Sequence, residues 1–316
     1  MQASLTFSFV LLHTVMDPAV FWPTVLGISF LVAGIFTYRQ DLLKASSRSV
    51  FRLASLGPVF IAAALAAFAG EHFTAASSLA QMVPKWLPAR LFIAYFVGAA
   101  HLAAALSLVA RRYIRWSSFF LALMFALFVL LLHLPNAVEH AANRVFWIFP
   151  ARETTYAMGG LALFATEMSD AWPNASRSIS AMARIWTALV LIYFGTQNVL
   201  YPQFSPGVPD TRPALPWVPL PHLTAYITGI LLMAFGIAMF LRKYAASAGA
   251  SAGLFMVLLT VVLYIPDFFL AQTVPEDVTA VNFFFDTLLF AGTLLVIATA
   301  ISRSESGQIG KAQTAS

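Results

Sequence analysis

Of the 316 residues, 60% are hydrophobic and only 10% are charged, with a formal net charge of +5. A soluble globular domain carries roughly a quarter charged residues, so the composition excludes a soluble fold and predicts an all-α, polytopic membrane protein. Cysteine is absent, which excludes disulfides, thiolate metal sites and a dithiol relay of the chain's own.

The basic residues are few and scattered between apolar runs. That pattern suits anionic membrane lipids as partners rather than nucleic acid. In chain order, residues 5–16 form an apolar run too short to span, stopped by Asp17-Pro18, and are expected along the membrane interface. No basic n-region and no small-residue cleavage site mark a secretory signal. A transmembrane helix needs about twenty mostly apolar residues. Nine segments qualify: 20–38, 53–70, 91–110, 117–134, 153–168, 185–201, 223–241, 251–266 and 283–301, of which the fifth is the shortest. Residues 302–316 offer nothing to bury and read as a disordered tail.

Short loops rich in Lys and Arg favour the cytoplasm. Loops 39–52, 111–116, 168–184 and 242–250 and the tail hold thirteen Lys and Arg, against five (Lys85, Arg90, Arg144, Arg152 and Arg212) on the other side. The amino terminus is therefore expected outside and the carboxyl terminus inside.

A faint internal repeat sets the domain organisation. Slid by 131 positions, Trp86 falls on Trp217, Pro88 on Pro219, Tyr95 on Tyr226, Gly98 on Gly229, Arg111-Arg112 on Arg242-Lys243, and Pro135 on Pro266. The chain then divides into residues 1–52 (the interfacial segment and an extra helix), a four-helix repeat at 53–168, a second at 184–301, and the tail 302–316. Four helices is an even number, so the copies enter the membrane in the same direction, a parallel repeat related by an axis along the membrane normal.

The unusual polar residues lie on the face expected outside. Each repeat's first helix ends in a polar pair, Glu71-His72 and Gln197-Asn198, similar in shape but ionisable only in the first. These pairs align at an offset of 126 rather than 131, so the second loop is about five residues longer. The loops that follow, Met82-Val83-Pro84-Lys85-Trp86-Leu87-Pro88 and Leu215-Pro216-Trp217-Val218-Pro219-Leu220-Pro221, are stiffened by proline. They place tryptophan at headgroup depth, as an interfacial anchor or a lid. Beyond them come His133, Pro135, Asn136, Glu139 and His140, with Arg144, Trp147, Arg152 and Glu153 in the next loop. His133, Glu139 and His140 are metal-ligand types, but their spacing matches no metal motif because Pro135 interrupts the helix, and no metal is expected. His101 sits midway along its helix and Asp286 in the outer third of the last one. An ionisable group at such depth is by default a functional hypothesis. For His101 the alternative is a core histidine bonded to a neighbouring helix.

Together, Gly70-Glu71-His72-Phe73, Met82–Pro88, Tyr95, Gly98, Arg111-Arg112 and Pro135-Asn136 resemble the DoxX-like family of bacterial membrane proteins. The match covers the first repeat well, the second weakly, and the first fifty residues not at all. Many members carry a Glu three residues after the glycine of the repeat's second helix, where this chain has His101 and, in its second repeat, Leu232. The resemblance implies a four-helix unit, here doubled, in a bacterial inner membrane, and an association with respiratory redox chemistry, since the family includes a subunit of thiosulfate:quinone oxidoreductase.

Two functional readings follow. One is an accessory subunit without catalytic activity of its own, attached to a redox partner and holding a quinone or lipid-like molecule. The other is a small-solute or proton-coupled transporter using the cleft between the repeats. In either, the candidate ligand-binding residues are Glu71, His72, Trp86, His101, His133, Asn136, Glu139 and His140, and Glu71 or His72 is expected to meet the His133–His140 segment beneath Trp86. No catalytic residue is assigned.

Overall fold

The structure, a computed structural model, describes residues 17–44 and 49–314, so the segment expected along the interface at 5–16 lies outside the described residues. Among the described residues nine long helices follow one another: α1 (Pro18–Lys44), α2 (Gly57–Thr74), α3 (Arg90–Ala110), α4 (Ile114–Phe128), α5 (Arg144–Glu167), α6 (Pro173–Leu200), α7 (Pro221–Phe240), α8 (Arg242–Leu259) and α9 (Val274–Thr314). Short helices precede α2 and extend α4 and α8. No strand is formed among the described residues beyond the isolated bridge Phe204–Pro213.

Eight of the nine, with their extensions, are long and apolar enough to cross a membrane. The exception is α5. Its 24 residues would rise about 36 Å, enough to span, but Arg144, Arg152, Glu153 and Glu167 lower its hydropathy. It packs along α4, α6 and α9, which cover Glu153 and much of Arg152, whereas Glu167 at its end is exposed. The bundle centres on α9, where 89% of the apolar window is buried, whereas α1 and the α4 span are each 22% buried and form the rim. Helix α2 lies against α1, α3 and α9, and α6 against α7, α5 and α9. Small residues permit this close approach, as at the touching backbones of Gly57 and Gly292.

Three expectations are corrected. Helix α5 starts at Arg144, nine residues before 153, because Asn143 caps it by accepting from the Val145 amide at 3.1 Å. Arg144, Trp147, Arg152 and Glu153 are therefore helical and not in a loop. Much of the basic loops 168–184 and 242–250 is likewise the opening turns of α6 and α8. Pro173 stands at the first position of α6, where its missing N–H costs nothing. The tail expected to be disordered continues α9 as helix to Thr314, since extending a helix is far easier than nucleating one.

Both Pro135 and Pro266 sit inside continuous helix. A proline removes an intrahelical donor, and each is preceded by a π-helical segment that absorbs the mismatch, Val129–His133 and Thr260–Tyr264. These segments stand 131 residues apart. So do the left-handed residues Ala89 and Leu220 that precede α3 and α7, and the short helices Leu134–Glu139 and Ile265–Leu270.

Candidate functional site

The polar groups of the chain converge inside the bundle, opposite the face bearing Arg111 and Arg112. Arg152 of α5 donates to Asp286 of α9 at 2.8 Å and to its neighbour Glu153 at 3.1 Å. Tyr156, one helical turn along, donates its hydroxyl to the other Asp286 oxygen at 2.9 Å. Glu153, Tyr156 and Asp286 are all buried. Counted along α5, Arg152 and Tyr156 lie about 12 and 18 Å from the helix start, and Asp286 about 18 Å from the start of α9. The charges thus sit well inside the bundle, where an unpaired one would be costly.

A second ion pair stands beside the first. The 20-residue connection between α6 and α7 is long for a link without helix. It turns inward as a small hairpin: Ser205 donates to the Arg212 carbonyl at 2.9 Å and Ala214 to that of Gln203 at 3.0 Å. Its tip, Ser205 to Pro209, is buried. Irregular backbone is tolerated at such a place only where protein groups satisfy it, and Asn198 does so. Its side chain accepts from the Gly207 amide at 3.0 Å and donates to the Gly207 carbonyl at 2.9 Å. Gly207 has φ +119°, which a side chain would resist. The hairpin carries Arg212 to Asp267, paired through both guanidinium nitrogens, and Asp210 to Arg144, which donates to the Asp210 carbonyl at 3.2 Å and to Gln197 at 3.1 Å.

Burial pushes the Asp210 carboxyl above the usual aspartate range. The Arg212 amide and the Arg212 and Arg152 guanidiniums pull it back only in part.

The two pairs are built alike. Arg152 lies 5.3 Å over the Phe149 ring, which stacks on His133 at the end of one π segment. Arg212 lies 5.3 Å over Phe283, which stacks on Tyr264 at the end of the other. Each cation is thus backed by an aromatic face and tied to the helix that the proline distorts.

The residues singled out from sequence fall in three places. Glu71 accepts from Asn282 of α9 at 3.2 and 3.3 Å. Asn282 is one turn before Asp286 on the same face, so Glu71 borders the Arg152 cluster. His72 shares a hydrogen bond with the Ala94 carbonyl at 2.8 Å, crossing α3 where Gly98 leaves room. His72 also meets His101 edge-on, with ring centroids 5.4 Å apart. His101 is buried among Phe68, Phe125 and Phe128, and neither ring nitrogen has a hydrogen-bond partner among the described residues. The neighbouring-helix bond weighed for it is not formed there.

His133 stands at the edge of the cluster, stacked on Phe149. Asn136 and His140 bond within their own helix, to the Leu132 and Asn136 carbonyls, and are exposed, as is Glu139. Trp86 is 69% exposed, whereas Trp217 packs against the core. No hydrogen bond, ion pair or ring contact among the described residues joins Glu71 or His72 to His133–His140, because α2 packs on α3 and α9 while the His133 segment packs on α5.

Sequence reasoning left Arg152, Glu153, Tyr156, Arg212 and Asp267 out of the candidate site. The signal available was the run of charges that makes α5 the least apolar long helix, together with the five extra residues that form the hairpin. No family model, curated protein or solved structure matches this chain.

Proposed function

We propose that this chain is a proton-coupled membrane protein that moves a small solute through the polar interior between two halves, residues 53–168 and 184–301. One observation carries the reading: the buried Arg152–Asp286 pair, which links a helix of each half well inside the bundle. Ionisable groups at membrane depth that face the bundle interior typically mark proton relays and substrate pathways. Here two carboxylates, Glu153 and Asp286, pair with one guanidinium, and a third, Glu71, borders them through Asn282, so proton uptake changes the net charge of the cluster. A gain or loss of charge is what can bias one packing of the halves over another. The 131-residue spacing of both π segments and both left-handed residues supports the reading of two parallel units. The thirteen-to-five division of Lys and Arg supports a cytoplasmic carboxyl terminus, and the DoxX-like resemblance supports a bacterial inner membrane.

The test is flux. Purified protein is reconstituted in liposomes containing a pH-sensitive dye, and small organic anions, amines and neutral solutes are presented in turn. Wild type should change the internal pH with at least one solute. Asp286→Asn and Arg152→Gln, if still monodisperse, should not. No pH change with any solute, or unchanged flux in both variants, refutes the proposal.

A second reading rests on His101. Its unpartnered ring nitrogens in a cage of phenylalanines suit a flat, carbonyl-bearing ligand such as a quinone, which matches the accessory redox role implied by the resemblance. A short-chain quinone should then raise the unfolding temperature of wild type but not of His101→Phe.

A further inference from the structure

At the opposite end of the bundle, a cleft of about 420 Å³ opens between the start of α6 and the far part of α9. We infer that it is a binding site for a phosphate-bearing anion, the headgroup of an anionic phospholipid or a free phosphate compound.

One face of α6 supplies Asn174, Arg177, Ser178, Ala181 and Arg184. A facing strip of α9 supplies Ile301, Ser304 and Glu305, and Arg242 closes the end. Three guanidiniums therefore stand against a single carboxylate. Guanidinium forks and hydroxyls are the donors that recognise phosphate oxygens, and three cations exceed what a lone carboxylate ligand would need. Two helices, α6 and α8, also begin here, and their amino-terminal dipoles favour an anion.

The arginines are held in place from behind. Arg184 donates through a single terminal nitrogen to the Met239 and Phe240 carbonyls, at 2.8 and 3.2 Å, at the end of α7. A guanidinium has five N–H donors, so this anchoring does not exhaust it. Arg177 is braced by Asn174 and by the Pro173 carbonyl at 3.3 Å. The cleft is far larger than a bare phosphate and falls in the range of small-ligand pockets, while Ile301 and Ala181 give it an apolar side. Glu305 is the one acid in the lining and makes no ion pair within 4 Å among the described residues. It would oppose an incoming anion, so its removal should favour binding. Saturation at one ligand per chain separates a site from a merely basic surface.

The test titrates the purified full chain in detergent with a short-chain phosphatidylglycerol, the matching phosphatidylcholine and inorganic phosphate, read by thermal unfolding and native mass spectrometry. Phosphatidylglycerol should bind saturably at one per chain and phosphatidylcholine should not. Arg177→Gln and Arg242→Gln should each weaken binding about tenfold, and Glu305→Gln should tighten it several-fold. Arg184 is left intact because it also ties α6 to α7. Inorganic phosphate that displaces the lipid at millimolar concentration identifies a soluble phosphate ligand, and failure to displace it identifies the lipid. Equal binding of both lipids, or no effect of the Arg177 and Arg242 substitutions, or weaker binding by Glu305→Gln, overturns the inference. Any of these would leave the Arg152 cluster and its proposed role untouched.

Discussion

Replacing Arg152 with methionine tests whether the buried cluster holds the bundle together. Methionine keeps the apolar stem beside Phe149 but removes the donors to Asp286 and Glu153. Hydrogen bonds to charged groups contribute about 1.5–3 kcal/mol each, so losing two suggests roughly 3–6 kcal/mol. Breaking a buried ion pair from one side costs about 3–5 kcal/mol by itself, since the partner is left buried and unpaired. The two figures describe the same loss and are not summed. The Tyr156 hydroxyl still reaches Asp286, which places the expectation near the lower end, about 3 kcal/mol.

The assay is equilibrium unfolding of the detergent-solubilised chain by SDS, followed through its seven tryptophans. Asp286→Asn keeps an acceptor for Tyr156 and removes the charge. The double variant Arg152→Met/Asp286→Asn should therefore be less destabilised than the sum of the singles, with a coupling of about 2 kcal/mol, within the range for residues in one ion-pair network. A loss below about 0.5 kcal/mol for Arg152→Met, or additive single effects, would refute the reasoning.

Asp210 gives a pH prediction. A group whose folded-state pKa is raised contributes stability that is present below its unfolded value and is lost as pH rises through the folded one. Its carboxyl is raised from 3.8, so that loss begins near the ordinary aspartate value and is complete only above the raised one. Asp210→Asn should match or exceed wild-type stability at pH 7, and its advantage should shrink toward pH 4; a loss above about 1 kcal/mol at pH 7 contradicts the burial argument. His101→Phe removes two unpartnered buried nitrogens from an aromatic cage. It should leave stability unchanged or raise it by about 1 kcal/mol, and a clear destabilisation in the same unfolding assay would reveal a partner. A periplasm-active reporter fused after Gln272 should be active and one fused after Asp170 inactive; the reverse would overturn the orientation.

The all-α class and the positions of the spans were legible in the sequence. A span must satisfy its own backbone and present about twenty apolar residues to lipid, and that pattern is local. The 131-residue offset likewise paired Pro88 with Pro219 and Pro135 with Pro266, and beside each pair the backbone departs in matching ways, at Ala89 and Leu220 and in the two π segments. The site was not local. Arg152 and Asp286 lie 134 residues apart, and Arg212 and Asp267 55 apart, so no spacing rule connects them. Hydropathy also trimmed the polar turns from α5 and α6, which assigned Arg152, Glu153 and Arg184 to loops. Asp286 was conspicuous as a charge in an apolar helix, yet its partner could be chosen only once α5 was seen to pack on α9. Sequence alone determined which segments must leave water. Tertiary packing decided which charges met inside, because a buried charge takes its partner from whichever helix lies beside it.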